Sequence, residues 1–287
     1  MEKIDRLGWA EGISFVAQGS RLGIRVSEPV ILDQIVPRLP PGWKPSSVPI
    51  VEDLFSVVVG GQGSDFRTRR FHLLYAGPER LARTLDQEEI LGLLEKVLHF
   101  HVAIRARRRW FVDAGVVGWR GRAIVLPGQN RVGKTSLVAA LVRAGASYFS
   151  DTYAVFDEQG RVHPYPKSLT WGPETGQPLR KVSAHDLGGR VGTGPLPVGS
   201  VVVTQYQPGS HWRPCPFSPG QALQALFGNA VLARFQPEST LSGRLRFSKP
   251  QGPSSEPNGC IGLETWKWKN PSRTGGHFAK GIAGAGG

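Results

Sequence analysis

Residues 123–145 read AIVLPGQNRVGKTSLVAALVRAG, and this stretch is the strongest indication of the fold in the sequence. A short apolar run at 123–126 is followed at once by G-x-x-x-x-G-K-T, the spacing of a phosphate-binding loop. After the loop, apolar residues recur at helical spacing from Leu137 to Val142, and Gly145 stands where a helix C-cap is expected. Strand, loop and helix follow one another as a phosphate loop requires, which favours the motif over a chance glycine turn.

The residue types of this loop suit a nucleotide. Glycines leave the loop amides accessible, and the amides and the positive end of the helix attract the β- and γ-phosphates. Lys134 is predicted to reach the β/γ oxygens and Thr135 to give its hydroxyl to a magnesium ion, with Ser136 as a further hydroxyl contact. The predicted nucleotide-binding residues are Gly128, Gln129, Asn130, Arg131, Val132, Gly133, Lys134, Thr135 and Ser136.

A phosphate loop also needs a carboxylate on the metal side. The next strand is predicted at 147–150, near the first strand and parallel to it, and it delivers Asp151 to its C-terminal end, where open α/β sheets bind ligands. Asp157 is the rival, because it also ends an apolar strand. Six residues of extended chain separate the two carboxylates by about 20 Å, so both do not face one phosphate. The tight turn predicted at 158–160 favours Asp151 as the catalytic and metal-binding residue, and a purely structural Asp151 is the other alternative.

Composition narrows the class of protein. The 287 residues include 35 Lys and Arg against 22 Asp and Glu, a net charge of +13. This charge favours anionic partners without choosing among phosphates, nucleic acid and acidic lipid. The two cysteines make neither a disulfide framework nor a four-ligand zinc site, and no run of ~18 apolar residues occurs. We therefore expect a soluble, cytoplasmic protein.

The chain is predicted to have three parts. Residues 1–83 are expected to form a small β-rich domain, with a hairpin at 13–26, a helix starting near 28, and strands at 57–59 and 71–75. Residues 84–247 are expected to form an α/β core that begins with an amphipathic helix over 87–104 and ends with a helix capped by Ser218 and Gln221. Residues 248–287 are rich in glycine and proline, which predicts a disordered or atypical tail.

From residue 110 onward the sequence resembles a known family. The stretches WFVDAGVV (110–117) and LVRAGASYFSD (141–151), with the phosphate loop between them, are similar to the HPr kinase/phosphorylase superfamily and more closely to its HPr kinase-like members. The resemblance is strong over 110–166 and fainter to about 240. It implies a P-loop kinase core that uses ATP and Mg²⁺ to phosphorylate a serine of a protein or peptide. It also implies that Asp151 is the acid/base and that Gly128, Gly133, Lys134 and Thr135 bind the nucleotide and magnesium.

Two residues depart from the family pattern. Asp113 stands where the family usually has histidine, and Thr152 stands where a second acid often follows the catalytic one. The C-terminal signature of the bifunctional enzymes is not found, so neither phosphorylase activity nor HPr as substrate is expected. Two alternatives stay open: a P-loop NTPase that hydrolyses nucleotide without a protein acceptor, and a catalytically impaired ATP-binding scaffold.

Basic residues outside the loop allow two interpretations each. The arginine-rich run 105–109, with Arg120 and Arg122, is typical of a solvated helix end but also fits a dock for an acidic substrate. The glycine-rich stretch 172–199, which contains Arg180, Lys181 and Arg190, fits a substrate loop or a flexible connection. No nucleic-acid-binding signature accompanies them, so no nucleic acid or membrane partner is expected, and oligomerisation is left open.

Overall fold

A computed structural model describes residues 8–60, 71–128, 133–171, 180–204, 215–235 and 263–265. The chain divides into two compact units, Met1–Arg108 and Arg109–Gly287. The elements of the first unit are β1 Glu11–Ala17, β2 Ser20–Val26, α1 Val30–Ile35 with a 3₁₀ turn at Val36–Arg38, β3 Lys44–Pro45, β4 Asp53–Val58, β5 His72–Ala76, β6 Glu79–Thr84 and α2 Gln87–Arg105.

The first unit contains a six-stranded sheet in the order β3-β1-β2-β4-β5-β6. The predicted hairpin is confirmed as β1 and β2, with Ile13 opposite Ile24. Gln18 and Gly19 between them have φ of 50° and 87°, the left-handed pair of a type I′ turn, whose twist matches that of the strands. The helix predicted near residue 28 and the two further strands are also present, as α1, β4 and β5.

Helix α2 belongs to the first unit, so the boundary lies after it and not at 83/84 as the sequence pattern indicated. The helix packs on β5, β6 and α1 and buries an apolar face that includes Ile90, Leu94 and Leu98. The amphipathic pattern predicted the helix correctly. It did not reveal which sheet receives the apolar face, because periodicity describes one surface only.

The arginines at the end of α2 are engaged within the first unit. Arg105 donates two hydrogen bonds to the Asp53 carboxylate, at 2.8 and 2.9 Å, and Arg107 donates to Glu52 at 3.0 Å. Burial pushes the pKa of Asp53 up, but the hydrogen bonds and positive charges of Arg105 and His101 lower it on balance. His101 Nδ1 lies 3.1 Å from the same carboxylate. The contacts favour the helix-end interpretation of this basic run.

The second unit contains ten strands and three helices among the residues that the structure describes. They are β7 Trp110–Trp119, β8 Arg122–Pro127, α3 Lys134–Arg143, β9 Ser147–Ser150, β10 Tyr153–Phe156, β11 Arg161–His163, β12 Leu169–Trp171, β13 Arg180–Val182, β14 Leu196–Val201, β15 Cys215–Phe217, α4 Pro219–Gly228, α5 Val231–Phe235 and β16 Leu263–Thr265.

Five of these strands close into a small barrel. Its order is β7-β8-β14-β11-β10, and β10 returns to pair with β7. Strand β9 lies beside β7 in line with β10, since Val116 faces Ser150 and Asp113 faces Tyr153. Strands β9 and β10 are therefore one path along β7, interrupted at 151–152.

The predicted relation between the strands on either side of the phosphate loop is confirmed in direction. Both β8 and β9 are antiparallel to β7, so they run parallel to each other. Strand β7 lies between them, which the local β-α-β argument did not foresee. The long apolar stretch of β7 supplies this central strand, because it is buried on both faces.

The second unit has two apolar clusters. All five barrel strands contribute to the inner cluster, which α4 covers with Ala222 and Leu226. Helix α3 packs on the outside of the barrel, where Val138 and Val142 meet Val117 and Tyr148.

The C-terminal part of the second unit tests two further predictions. The predicted capping of α4 is confirmed: Ser218 Oγ accepts from Gln221 N at 3.3 Å, and Gln221 Oε1 accepts from Ser218 N at 2.9 Å. The predicted tail, 248–287, lies outside the described residues except for β16. That strand pairs with β15, so three residues of the stretch predicted to be disordered or atypical take part in a sheet.

Candidate functional site

The predicted phosphate loop joins the end of β8 to the start of α3. Gly128 and Gly133 border it with φ of 149° and 86°, values that side chains rarely adopt. The two glycines of the motif are therefore required by the backbone itself. Gln129, Asn130, Arg131 and Val132 lie outside the described residues, so their nucleotide contacts remain predictions.

The first turn of α3 presents the charged and hydroxyl groups of the motif. Lys134 is 7% exposed, and its ammonium donates to the carbonyl oxygen of Gly128, which folds the side chain back over the loop. Thr135 and Ser136 follow in the same turn and are half-buried. The N-cap, Gly133, makes no side-chain capping bond. A helix N-terminus without a side-chain cap leaves its N–H groups to an anionic ligand.

Asp151 and Gly128, where the predicted phosphate loop begins, lie on opposite sides of one strand, at the same level. Ala114 of β7 faces Pro127 of β8, and its N–H donates to the Thr152 carbonyl at 3.1 Å. Gly128 N in turn donates to the Asp113 carbonyl at 3.1 Å. Neighbouring strands are about 4.8 Å apart, so the backbones at Pro127 and Thr152 are separated by roughly 10 Å.

The carboxylate of Asp151 reaches the same face of the sheet as α3. Its Oδ1 lies 3.4 Å from the hydroxyl of Tyr148, a residue that packs in the cluster beneath α3. Thr152 Oγ1 donates to the same oxygen at 3.0 Å. Ser150 Oγ accepts from the N–H groups of Thr152 and Tyr153, which fixes the break between β9 and β10. The interruption of the strand is what turns Asp151 toward the loop side.

Burial dominates the electrostatics of Asp151. Removal from water raises the pKa of this carboxyl above its ordinary value, and this outweighs the opposing effects of the Thr152 hydrogen bond and the Lys167 charge. The pKa of Tyr148 is also raised, first by burial and then by the negative charge of Asp151. A carboxylate held at a raised pKa is a better proton acceptor than an exposed one, which suits a general base.

Asp113 lies between the two halves of the site. It occupies β7 two residues before Gly115, at which a Cβ would lie 2.7 Å from Val138 of α3. Side chains alternate along a strand, so Asp113 lies on the α3 face, as Gly115 does. In the sequence, Asp113 is a departure from the family pattern and a charge in an apolar strand, which left an active-site role and a capped turn as alternatives. In the structure Asp113 lies between Gly128 on one side of β7 and Thr152 on the other.

The rival carboxylate, Asp157, is fully engaged elsewhere. It is 1% exposed and accepts hydrogen bonds from Gln159 N, Arg161 N and Arg161 Nε at 2.8–3.0 Å, and it lies 2.9 Å from His163 Nε2. These contacts close the turn between β10 and β11, the tight turn that the sequence predicted at 158–160. Asp157 thus has a structural task at the far end of β10 from the loop.

Sequence reasoning missed two neighbours of Asp151. Tyr148 donates to the Lys167 carbonyl at 2.6 Å, and this bond connects the strand before Asp151 to the segment before β12. The positive charge of Lys167 acts on the Asp151 carboxyl. Strand alternation places residues three apart, such as Tyr148 and Asp151, on opposite faces, so their spacing carried no signal of this contact. Lys167 carried none, because only the tertiary fold brings it close.

Comparisons with known proteins identify no relative: no family model matches the chain, and no curated protein is significantly similar to it. The described residues contain no group of three metal-ligating side chains and no helix that is long and apolar enough to cross a membrane. Mg²⁺ at phosphate sites is usually bound by one or two protein oxygens together with phosphates and water, and Thr135 and Asp151 fit that donor set.

Proposed function

We propose that this protein is an ATP- and Mg²⁺-dependent kinase of the HPr kinase-like type, which phosphorylates a serine of a protein or peptide. The observation that carries the proposal is the arrangement of Gly128, Asp113 and Thr152 across β7. It sets the start of the phosphate loop and the Asp151 segment on two sides of a single strand, roughly 10 Å apart. The resemblance over 110–166 adds the reaction class to this geometry.

The local chemistry supports transfer rather than binding alone. A nucleotide site needs amides, a cation and a hydroxyl, which the helix start, Lys134 and Thr135 provide. Transfer to a hydroxyl needs a proton acceptor in addition, and Asp151 is a buried carboxylate of raised pKa on the same face. A scaffold that only held nucleotide would gain nothing from the cost of burying this charge.

In the proposed reaction the bond between the γ-phosphorus and the β,γ-bridging oxygen breaks, and a bond from the serine oxygen to that phosphorus forms. Asp151 accepts the hydroxyl proton of the serine. Lys134 carries positive charge to the oxygens on which negative charge builds up. Mg²⁺, held by Thr135 and Asp151, would supply further neutralisation of the phosphates.

Incubation of the protein with γ-labelled ATP, Mg²⁺ and cell lysate tests the proposal. A kinase transfers label to serine of a protein or peptide. Release of free labelled phosphate without a labelled acceptor would instead identify an NTPase, and bound, unspent ATP would identify a scaffold. The Asp151→Asn variant is the matched control, because it keeps a polar group of the same size and removes the proton acceptor.

A further inference from the structure

A basic groove lies at the mouth of the barrel opposite the phosphate loop. Its volume is about 780 Å³, and it is formed by the β7–β8 turn, the start of β9 and the loop before β14. Arg120 and Arg190 line it, both exposed, and no acidic side chain does so among the described residues. Trp119 in the groove lies five residue steps along β7 from Ala114 at the opposite end, about 17 Å of strand.

Arg120 occupies a position that the backbone makes costly for it. The β7–β8 hairpin turns at Arg120 and Gly121, with φ of 47° and 76°, which is the type I′ geometry. Asn, Asp and Gly are preferred at the first of these positions, and an ordinary side chain there is strained. The chain thus accepts a strained residue that adds a guanidinium to the groove.

One wall of the groove is a backbone edge that no other described strand covers. The segment 190–192 pairs with β9 in parallel: Tyr148 N donates to the Arg190 carbonyl at 2.7 Å, and Gly192 N donates to the Tyr148 carbonyl at 2.8 Å. In this pattern the N–H and C=O of Val191 point away from β9. Val191 is 45% exposed, and its backbone groups have no hydrogen bond to another described residue. The exposed edge can accept a further strand.

We propose that this groove binds an acidic, extended segment of the acceptor protein, which adds as a strand along Val191 and pairs its carboxylates with Arg120 and Arg190. The docking role rests on the proposed kinase function, whereas the binding itself does not. A backbone edge is complementary to another backbone, which favours a peptide over a small phosphate. Two arginines in a confined groove also fall short of the basic stripe that nucleic acid needs.

Fluorescence polarisation with a labelled dodecapeptide of alternating Glu and Thr tests the binding, without ATP. We expect saturable binding that weakens as salt is raised, and much weaker binding of the same peptide with Gln for Glu. Two further probes are the same peptide with N-methyl groups on every second amide: one carries them on the Glu residues and the other on the Thr residues. Strand addition uses every second amide, so one of these two probes is expected to lose affinity and the other to keep more of it.

Three single variants locate the site. Arg120→Asn removes the charge and installs a residue that type I′ turns prefer, so the hairpin is kept. We expect Arg120→Asn and Arg190→Gln each to weaken binding by about 1.4- to 5-fold, the range for an exposed ion pair, and the double variant by about 2- to 30-fold. Arg80→Gln is the matched control, because it removes one exposed charge outside both the groove and the stretch 172–199, and it should leave binding unchanged.

Several results would overturn the proposal. Equal binding of the Gln peptide, equal loss of binding in Arg80→Gln, or unchanged binding of both N-methylated peptides would each contradict it. Competition by oligo(dT) or by pyrophosphate at lower concentration than the Glu peptide would reassign the groove to nucleic acid or to a small anion. If the labelled peptide binds but no phosphate transfer is detected, peptide binding by the groove is supported and only the proposed kinase function is refuted.

Discussion

The Asp151→Asn substitution tests the proposed chemistry directly, because it separates two consequences of one buried carboxylate. As the proton acceptor, Asp151 is expected to contribute the rate factor typical of general-base catalysis, about 10²- to 10⁴-fold. This corresponds to about 2.7–5.4 kcal/mol of activation free energy. Loss of the carboxylate should lower kcat by that factor and leave ATP affinity nearly unchanged.

The same substitution is expected to stabilise the fold at neutral pH. The Asn Oδ1 can accept the Thr152 hydroxyl, which in the native protein donates to Asp151 at 3.0 Å, so the local hydrogen bond is kept. The cost of burying a charge disappears. A carboxyl whose pKa is raised on folding contributes stability below its unfolded pKa and loses it as pH rises through the folded value. The gain in Tm should therefore be present at pH 7 and shrink as pH falls toward the ordinary value of 3.8.

Two assays measure these effects: steady-state transfer of labelled phosphate, and thermal unfolding between pH 4 and 8. The pH profile of kcat/KM in the native enzyme should show an acidic limb above 3.8, because burial raises the pKa of Asp151. Asp186→Asn is the control, because the pKa of Asp186 is shifted in the opposite direction to that of Asp151. Hydrogen bonds from Ser183 lower the pKa of this exposed carboxyl, so its loss should slightly reduce stability at pH 7 and leave transfer unchanged. Unchanged kcat in Asp151→Asn, or an acidic limb at or below 3.8, would refute the reasoning.

Three further predictions follow from contacts in the second unit. Lys134→Ala removes the ammonium over the loop and should weaken ATP binding by about 10- to 150-fold, together with turnover, as calorimetry would show; this range corresponds to a charged hydrogen bond. Gly115→Ala places a Cβ 2.7 Å from Val138 and should cost about 1–3 kcal/mol in urea unfolding, with a smaller cost in a Val138→Ala background. Asp157→Asn should destabilise the fold by about 1–3 kcal/mol at pH 7 without loss of ATP affinity. Burial pushes the pKa of Asp157 up, but hydrogen bonds from His163 and Arg161 lower it on balance, so this contribution is lost as pH falls.

Each of these predictions has an outcome that would contradict it. Full ATP affinity in Lys134→Ala would remove the loop from the nucleotide site. An equal cost of Gly115→Ala in the native protein and in the Val138→Ala background would show that the clash is not with α3. Loss of ATP binding in Asp157→Asn at unchanged stability would restore Asp157 as the rival metal carboxylate.

Several local helices and hairpins could be predicted from the amino-acid sequence alone. The β1–β2 hairpin, α2 and the capped α4 were predicted because each depends on neighbours within one turn or one strand pair. The motif spacing placed glycines at 128 and 133, where the backbone has positive φ, but nucleotide binding by this loop remains a prediction.

The packing partners of those elements could be read only from the tertiary structure. It assigned α2 to the first unit, placed β7 between the two parallel strands, and brought Tyr148 and Lys167 to Asp151. It also gathered Arg120 and Arg190, which are far apart in the sequence, into one groove. The physical reason is that periodicity and motif spacing report the conformation of a segment, whereas strand order and the surroundings of a buried charge depend on long-range packing.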